Sequence, residues 1–72
     1  MLDIEILGKR IRELRKEHGL TQTMFANELN VSFQAVSNWE RGIDPPDIDN
    51  LINISKYFNV LVDDLIRQQN DF

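Results

Sequence analysis

Five side chains in a nine-residue run set the chemistry open to this chain. Stepping about 100° per residue round a helix that starts at Phe33, Phe33, Gln34, Ser37, Asn38 and Arg41 fall on one side, with Ala35, Val36 and Trp39 on the other. The second set is a core face. The first has no evident part in folding, and it joins amide, hydroxyl and guanidinium groups to an aromatic ring where an ordinary solvent-facing helix carries Glu and Lys. Amides and guanidinium groups bond base edges in the major groove of DNA, and apolar surface meets the thymine methyl. Gln34 and Asn38 each carry both a donor and an acceptor for such an edge. A polar helix surface with no ligand is the plainer alternative for this run taken alone.

Other chemistries find no support. The chain has no cysteine and one histidine, which excludes a disulfide framework, a thiolate nucleophile and a zinc-thiolate site. His18 falls on the apolar stripe in the last turn of a helix, ahead of Gly19, and reads as a helix-end or edge-of-core residue. No Ser or Asp stands at nucleophile spacing around it. Neither an enzyme, a metal site nor a cofactor is expected. The 72 residues hold no apolar run of about 20 and leave no room for an effector domain. A single domain over 1–72, a cytoplasmic setting, no membrane and no small-molecule ligand are the expectations.

The elements that would position the five side chains lie within residues 20–42, LTQTMFANELNVSFQAVSNWERG. Thr21 caps a helix over 22–29 whose core side is Phe25, Ala26 and Leu29. Asn30 supplies a turn residue able to take positive φ, Val31 plugs the turn, and Ser32 caps the next helix, 33–41. Two short helices across a tight turn outline a helix-turn-helix. Met24 points away from the core, either without a role or in contact with another protein.

With its flanks, this stretch resembles the lambda-repressor-like helix-turn-helix family, the Cro/C1 or xenobiotic-response-element type of bacterial and phage regulators. The resemblance runs from Leu7 to Ile66 on LGKRIRELRKEHGLTQ, the SxxxVSxWERG run and PPDIDNLINISKYFNV. It implies an all-α, compact five-helix DNA-binding domain and a sequence-specific transcriptional regulator, most often a repressor, that binds a palindromic double-stranded operator as a homodimer. Phe33, Gln34, Ser37 and Asn38 are then the base-contact candidates, and Gln22, Ser32 and Arg41 the backbone-contact candidates. In the family the first-turn glutamine, here Gln22, bonds a phosphate and braces a side chain of the second helix. The family also pairs the arginine at the position of Arg15 with the glutamate of the WERG run, here Glu40. Both residues lie at the margin of their own helices' core faces.

Four departures stand out. Asn30 replaces the usual glycine, and Leu61 stands where relatives often have Ser. Phe33 occupies an often polar position, where it would meet a thymine methyl, wedge against sugars or fold back over Asn30. Ile43 and Asp44 fill a loop where relatives place Lys, Arg or Ser against the DNA backbone.

The remaining elements follow from periodicity. Asp3 caps a helix over 4–18 with Ile4, Leu7, Ile11 and Leu14 on its core stripe and Lys9, Arg12, Glu13 and Lys16 opposite. Asp47 caps a helix to about Phe58 whose core face takes in Ile48, Leu51, Ile52, Ile54 and Phe58, with Tyr57 at its margin. A last helix over 62–69 groups Val62, Leu65 and Ile66, ahead of a frayed tail, 68–72. Leu61, Leu65, Ile66 and Phe72 are the candidates for a dimer contact through the C-terminal region, Phe72 being otherwise disordered. Eight Lys and Arg against twelve Asp and Glu give a net charge of −4. Residues 1–42 are balanced, so the whole surplus lies after Gly42. That acidity supports an alternative function, a helix-turn-helix that binds protein, such as a DNA-binding antitoxin or a subunit of a larger repressor.

Overall fold

The computed structural model describes residues 2–67. Four of the five helices begin where the sequence supplies an acceptor for their orphan amides. Asp3 accepts from the backbone N–H of Glu5 and Ile6 and opens α1, Ile4–Glu17. Thr21 accepts from Met24 and opens α2, Gln22–Leu29. Ser32 accepts from Ala35 and opens α3, Phe33–Glu40. Asp47 accepts from Asn50 and opens α4, Ile48–Phe58. Leu61 has no side chain to offer, and α5, Val62–Ile66, starts without a cap bond.

The first four helices end in one way. Gly19, Asn30, Gly42 and Asn59 have φ of 70°, 58°, 71° and 57°. The residue after each returns its N–H to a carbonyl five positions back: Leu20 to Arg15, Val31 to Ala26, Ile43 to Asn38 and Val60 to Ser55. This is the Schellman closure, which takes up carbonyls that the helix leaves unpaired and turns the chain sharply. Leu20, Val31 and Val60 then pack on the core, as the closure favours. Ile43 does not, and remains exposed.

The core is a single cluster of Leu7, Ile11, Phe25, Ala26, Leu29, Val36, Trp39, Leu51, Ile54, Phe58 and Leu65. Within it α1 packs on α3 and α5, and α2 on α3 and α4. His18 ends α1 as its C-cap, with Nδ1 2.8 Å from the Leu14 carbonyl and its ring against Phe58. Among the described residues there is no strand, and no helix is long and apolar enough to cross a membrane.

Three expectations are corrected. Ile48 and Ile52 do not belong to the core; they are 65% and 39% exposed. They sit about 60° and 100° round the helix from Leu51, on a flank that neither α2 nor α5 covers. Leu65 is not a surface residue free to meet a second chain, because at 1% exposure it is the anchor of α5 in the core. The last helix is also shorter than 62–69: Arg67 is extended, at φ −70° and ψ 141°, so α5 ends at Ile66. Phe72 and the tail 68–72 lie outside the described residues.

Candidate nucleic-acid interface

The outer face of α3 depends first on how firmly α3 is held. Glu40, in its last turn, is gripped from two directions. Arg15 of α1 donates through Nε to Glu40 Oε2 at 2.6 Å and through Nη2 to Oε1 at 2.9 Å. Gln22 of α2 donates through Nε2 to the same Oε1 at 2.9 Å. The third arm of the guanidinium donates through Nη1 to the Leu20 carbonyl at 2.8 Å. The two charged side chains are 9% and 3% exposed. A forked guanidinium on a carboxylate fixes direction as well as distance, so α1, the start of α2 and the end of α3 are locked together. Gln22 thus braces α3 through Glu40.

A second clamp was not read from the sequence. Gly8, in the second turn of α1, lies so close to α3 that a Cβ there would sit 2.2 Å from the Trp39 carbonyl oxygen. A glycine inside a helical run, past its first turn, is the available signal. Arg10 forms a tie that its sequence position does not reveal. It donates through Nη1 to the carbonyls of Asp64 and Leu65, at 3.0 and 3.1 Å, and so ties α5 to α1.

On this frame α3 turns Val36 and Trp39 inward and keeps Phe33, Gln34 and Arg41 exposed, with Ser37 and Asn38 half-buried between them. Phe33 is 51% exposed. Ser32 Oγ is engaged as the helix cap, which uses it as an acceptor and leaves its O–H free to donate. The polar side chains bond one another. Gln34 Nε2 donates to Asn38 Oδ1 at 3.0 Å, and Arg41 Nη2 donates to the same oxygen at 3.0 Å. Arg41 Nε also donates to Ser37 Oγ at 3.2 Å. Arg41 therefore lies folded along α3 rather than extended from its end. Asn38 does not present both a donor and an acceptor, because its acceptor is occupied.

Charge around this face is sparse. Asp44 and Ile43 are exposed just beyond α3. Glu5 of α1 lies against Gly42, where an added Cβ would meet its Cγ at 3.0 Å, so a second carboxylate flanks the loop. Among the described residues, no group of three or more His, Cys, Asp or Glu side chains is placed to hold a metal ion.

The helix-turn-helix family model matches residues 11–65. The transcriptional regulator ImmR of Bacillus subtilis is 42% identical over 60 residues, which is 83% of this chain and 47% of ImmR. The P22 c2 repressor, in a crystal structure with a synthetic operator, superposes with a TM-score of 0.81 at 34% identity, over 86% of this chain and 94% of that one. SinR, a master regulator of biofilm formation crystallised with DNA, superposes with a TM-score of 0.75 at 32% identity, over 82% and 95%. The chain spans about half the length of ImmR, and 29% and 31% of the curated relatives BcrR of Enterococcus faecalis and the C2 repressor of Salmonella phage P22.

Proposed function

From the premise that this chain belongs to the helix-turn-helix family, in its lambda-repressor-like Cro/C1 branch, we propose that it is a sequence-specific, DNA-binding transcriptional regulator acting as a repressor in the cytoplasm. The outer face of α3 enters the major groove. Phe33, Gln34, Ser37 and Asn38 meet base edges, and Gln22, Ser32 and the unengaged Nη1 of Arg41 meet the backbone. Contacts of the second kind set register and carry little sequence information. One observation carries this reading: a rigidly clamped helix whose exposed side joins a bare aromatic ring to a linked set of amides, a hydroxyl and a guanidinium.

A palindromic operator follows if two copies act as a two-fold dimer, since the two α3 helices then reach successive major grooves on one face of the duplex. Leu61, 67% exposed, and Ile66 supply apolar surface for that contact. Leu65 does not contribute, being core.

The acidic C-terminal half supports a second reading, a helix-turn-helix that binds a protein partner, as an antitoxin or a larger repressor's subunit does. The two are separated by selecting bound duplexes from a random library and measuring binding to selected and scrambled duplexes across a salt series. A recovered motif with selective binding supports the regulator. Recovery of no motif, with equal weak binding to both duplexes, rejects it.

A further inference from the structure

Asn38 is the candidate base contact whose accepting capacity is already committed. Its Oδ1 accepts from Gln34 Nε2 and from Arg41 Nη2, each at 3.0 Å. A carbonyl oxygen has two lone pairs, and both are taken. Position alone leaves an amide's orientation open, because its oxygen and nitrogen have nearly the same shape. Here chemistry fixes it. A guanidinium has donors and no acceptor, so the atom that faces Arg41 must be the oxygen, and Gln34 must then turn its nitrogen toward it. Arg41 is itself held by the bond from Nε to Ser37 Oγ. Among the described residues nothing accepts from Asn38 Nδ2.

Resting on the DNA-binding reading above, we infer that Asn38 reads its base as a donor only and selects guanine over adenine at that position. An unencumbered asparagine favours adenine, donating to N7 while it accepts from the N6 amino group. Asn38 has no lone pair left for that amino group. Its two N–H bonds remain, and guanine places two acceptors, N7 and O6, side by side in the major groove. Adenine would still offer N7 to one Asn38 N–H, but it sets its N6 amino group against the other and leaves those two donors unpaired, which low-dielectric contact makes costly. Neighbours on the same helix thus turn a side chain that is ambivalent in isolation into a reader of one polarity.

The test is selection of bound duplexes by the wild type and by three variants of the full chain, each first shown to be folded by Trp39 fluorescence. The position read by Asn38 is the one whose preference disappears in Asn38→Ala. The wild type selects guanine there over adenine by roughly 5- to 150-fold, the discrimination of a good base contact. Asn38→Asp keeps an oxygen for Gln34 and Arg41 but has no outward donor, and the guanine preference vanishes. Arg41→Met frees one lone pair of Asn38, and adenine gains on guanine by about tenfold or more at that position alone. Selection of any base other than guanine by the wild type, an unchanged guanine-to-adenine ratio in Arg41→Met, or no altered position in Asn38→Ala overturns the inference and leaves the DNA-binding reading intact. Failure of the wild type to select any motif overturns both.

Discussion

Replacing Arg15 by Ala removes the centre of the clamp on α3, and the structure allows its cost to be worked through. The carboxylate of Glu40, 3% exposed, accepts three hydrogen bonds, two from Arg15 and one from Gln22. After Arg15→Ala only the neutral amide of Gln22 remains, and the charge is left where water reaches it poorly. The Leu20 carbonyl loses its side-chain donor as well. Breaking a buried pair by removing one member costs about 3–5 kcal/mol, because the surviving charge keeps its desolvation penalty. A chain of this length has about 4–11 kcal/mol of stability in all, so Arg15→Ala should remove a large share of it. Glu40→Ala strands the guanidinium instead, with one of its three bonds kept, and should cost about as much. The double variant leaves neither charge, so its loss should fall short of the summed single losses by about 1–3 kcal/mol. Urea melts followed through Trp39, the sole tryptophan and the residue preceding Glu40, together with far-UV circular dichroism, measure all three. Single losses that add to within about 0.5 kcal/mol would refute the coupling and with it the idea that Arg15 and Glu40 act as one clamp.

Three further outcomes follow from the packing and the charge. Gly8→Ala drives a methyl into the Trp39 carbonyl, a backbone atom that cannot step aside, and should destabilise by about 1–3 kcal/mol or more; Gly19→Ala meets no atom but strains a residue at φ 70°, and should cost about 1–2 kcal/mol. Denaturant midpoints that rank the two in the opposite order would show that α1 and α3 separate easily. Leu65→Ala should lower stability by about 2–5 kcal/mol, whereas Leu61→Glu should leave the melt nearly unchanged and weaken self-association in sedimentation; a monomeric wild type would remove Leu61 from any interface. Asp44→Lys exchanges a repulsive for an attractive charge beside the DNA backbone, so it should tighten binding to all duplexes and steepen the logarithmic salt dependence by about 1 per monomer. Unchanged affinity and slope would place the loop away from the phosphates.

The sequence made the starts and stops of the helices legible because both are local chemistry. Asp3, Thr21, Ser32 and Asp47 each cap the amides just ahead of them, and Gly19, Asn30 and Gly42 each supply the positive φ that the closing turn requires. Asn59 does the same after α4, where an asparagine between Phe58 and Val60 is a weaker stop signal than a glycine. Helical periodicity could place Ile48 and Ile52 at an angle, but could not say which flank of α4 its neighbours would cover. The role of Leu65 was hidden in the same way, since apolar residues on a short C-terminal helix serve a core and an interface equally well. Gly8 and Arg10 act on partners more than 30 and 50 residues away, which spacing along one helix does not encode. Within the candidate site the wheel separated the outer face of α3 from the inner one. The polarity of Asn38 depends on how Gln34 and Arg41 turn their side chains, which only coordinates supply.

The central claim, that the outer face of α3 distinguishes one duplex sequence from another, is tested most directly by one equilibrium competition. A duplex recovered by selection and a scrambled duplex of equal length compete for the wild type at physiological salt, and for a variant with Phe33, Gln34, Ser37 and Asn38 all changed to Ala. The wild type should prefer the selected duplex by about 1,000-fold or more, the usual lower bound for specific over nonspecific binding. The variant, still folded because these side chains lie outside the core, should bind both duplexes alike and weakly. A wild type that does not discriminate, or a variant that retains the preference, would contradict the account.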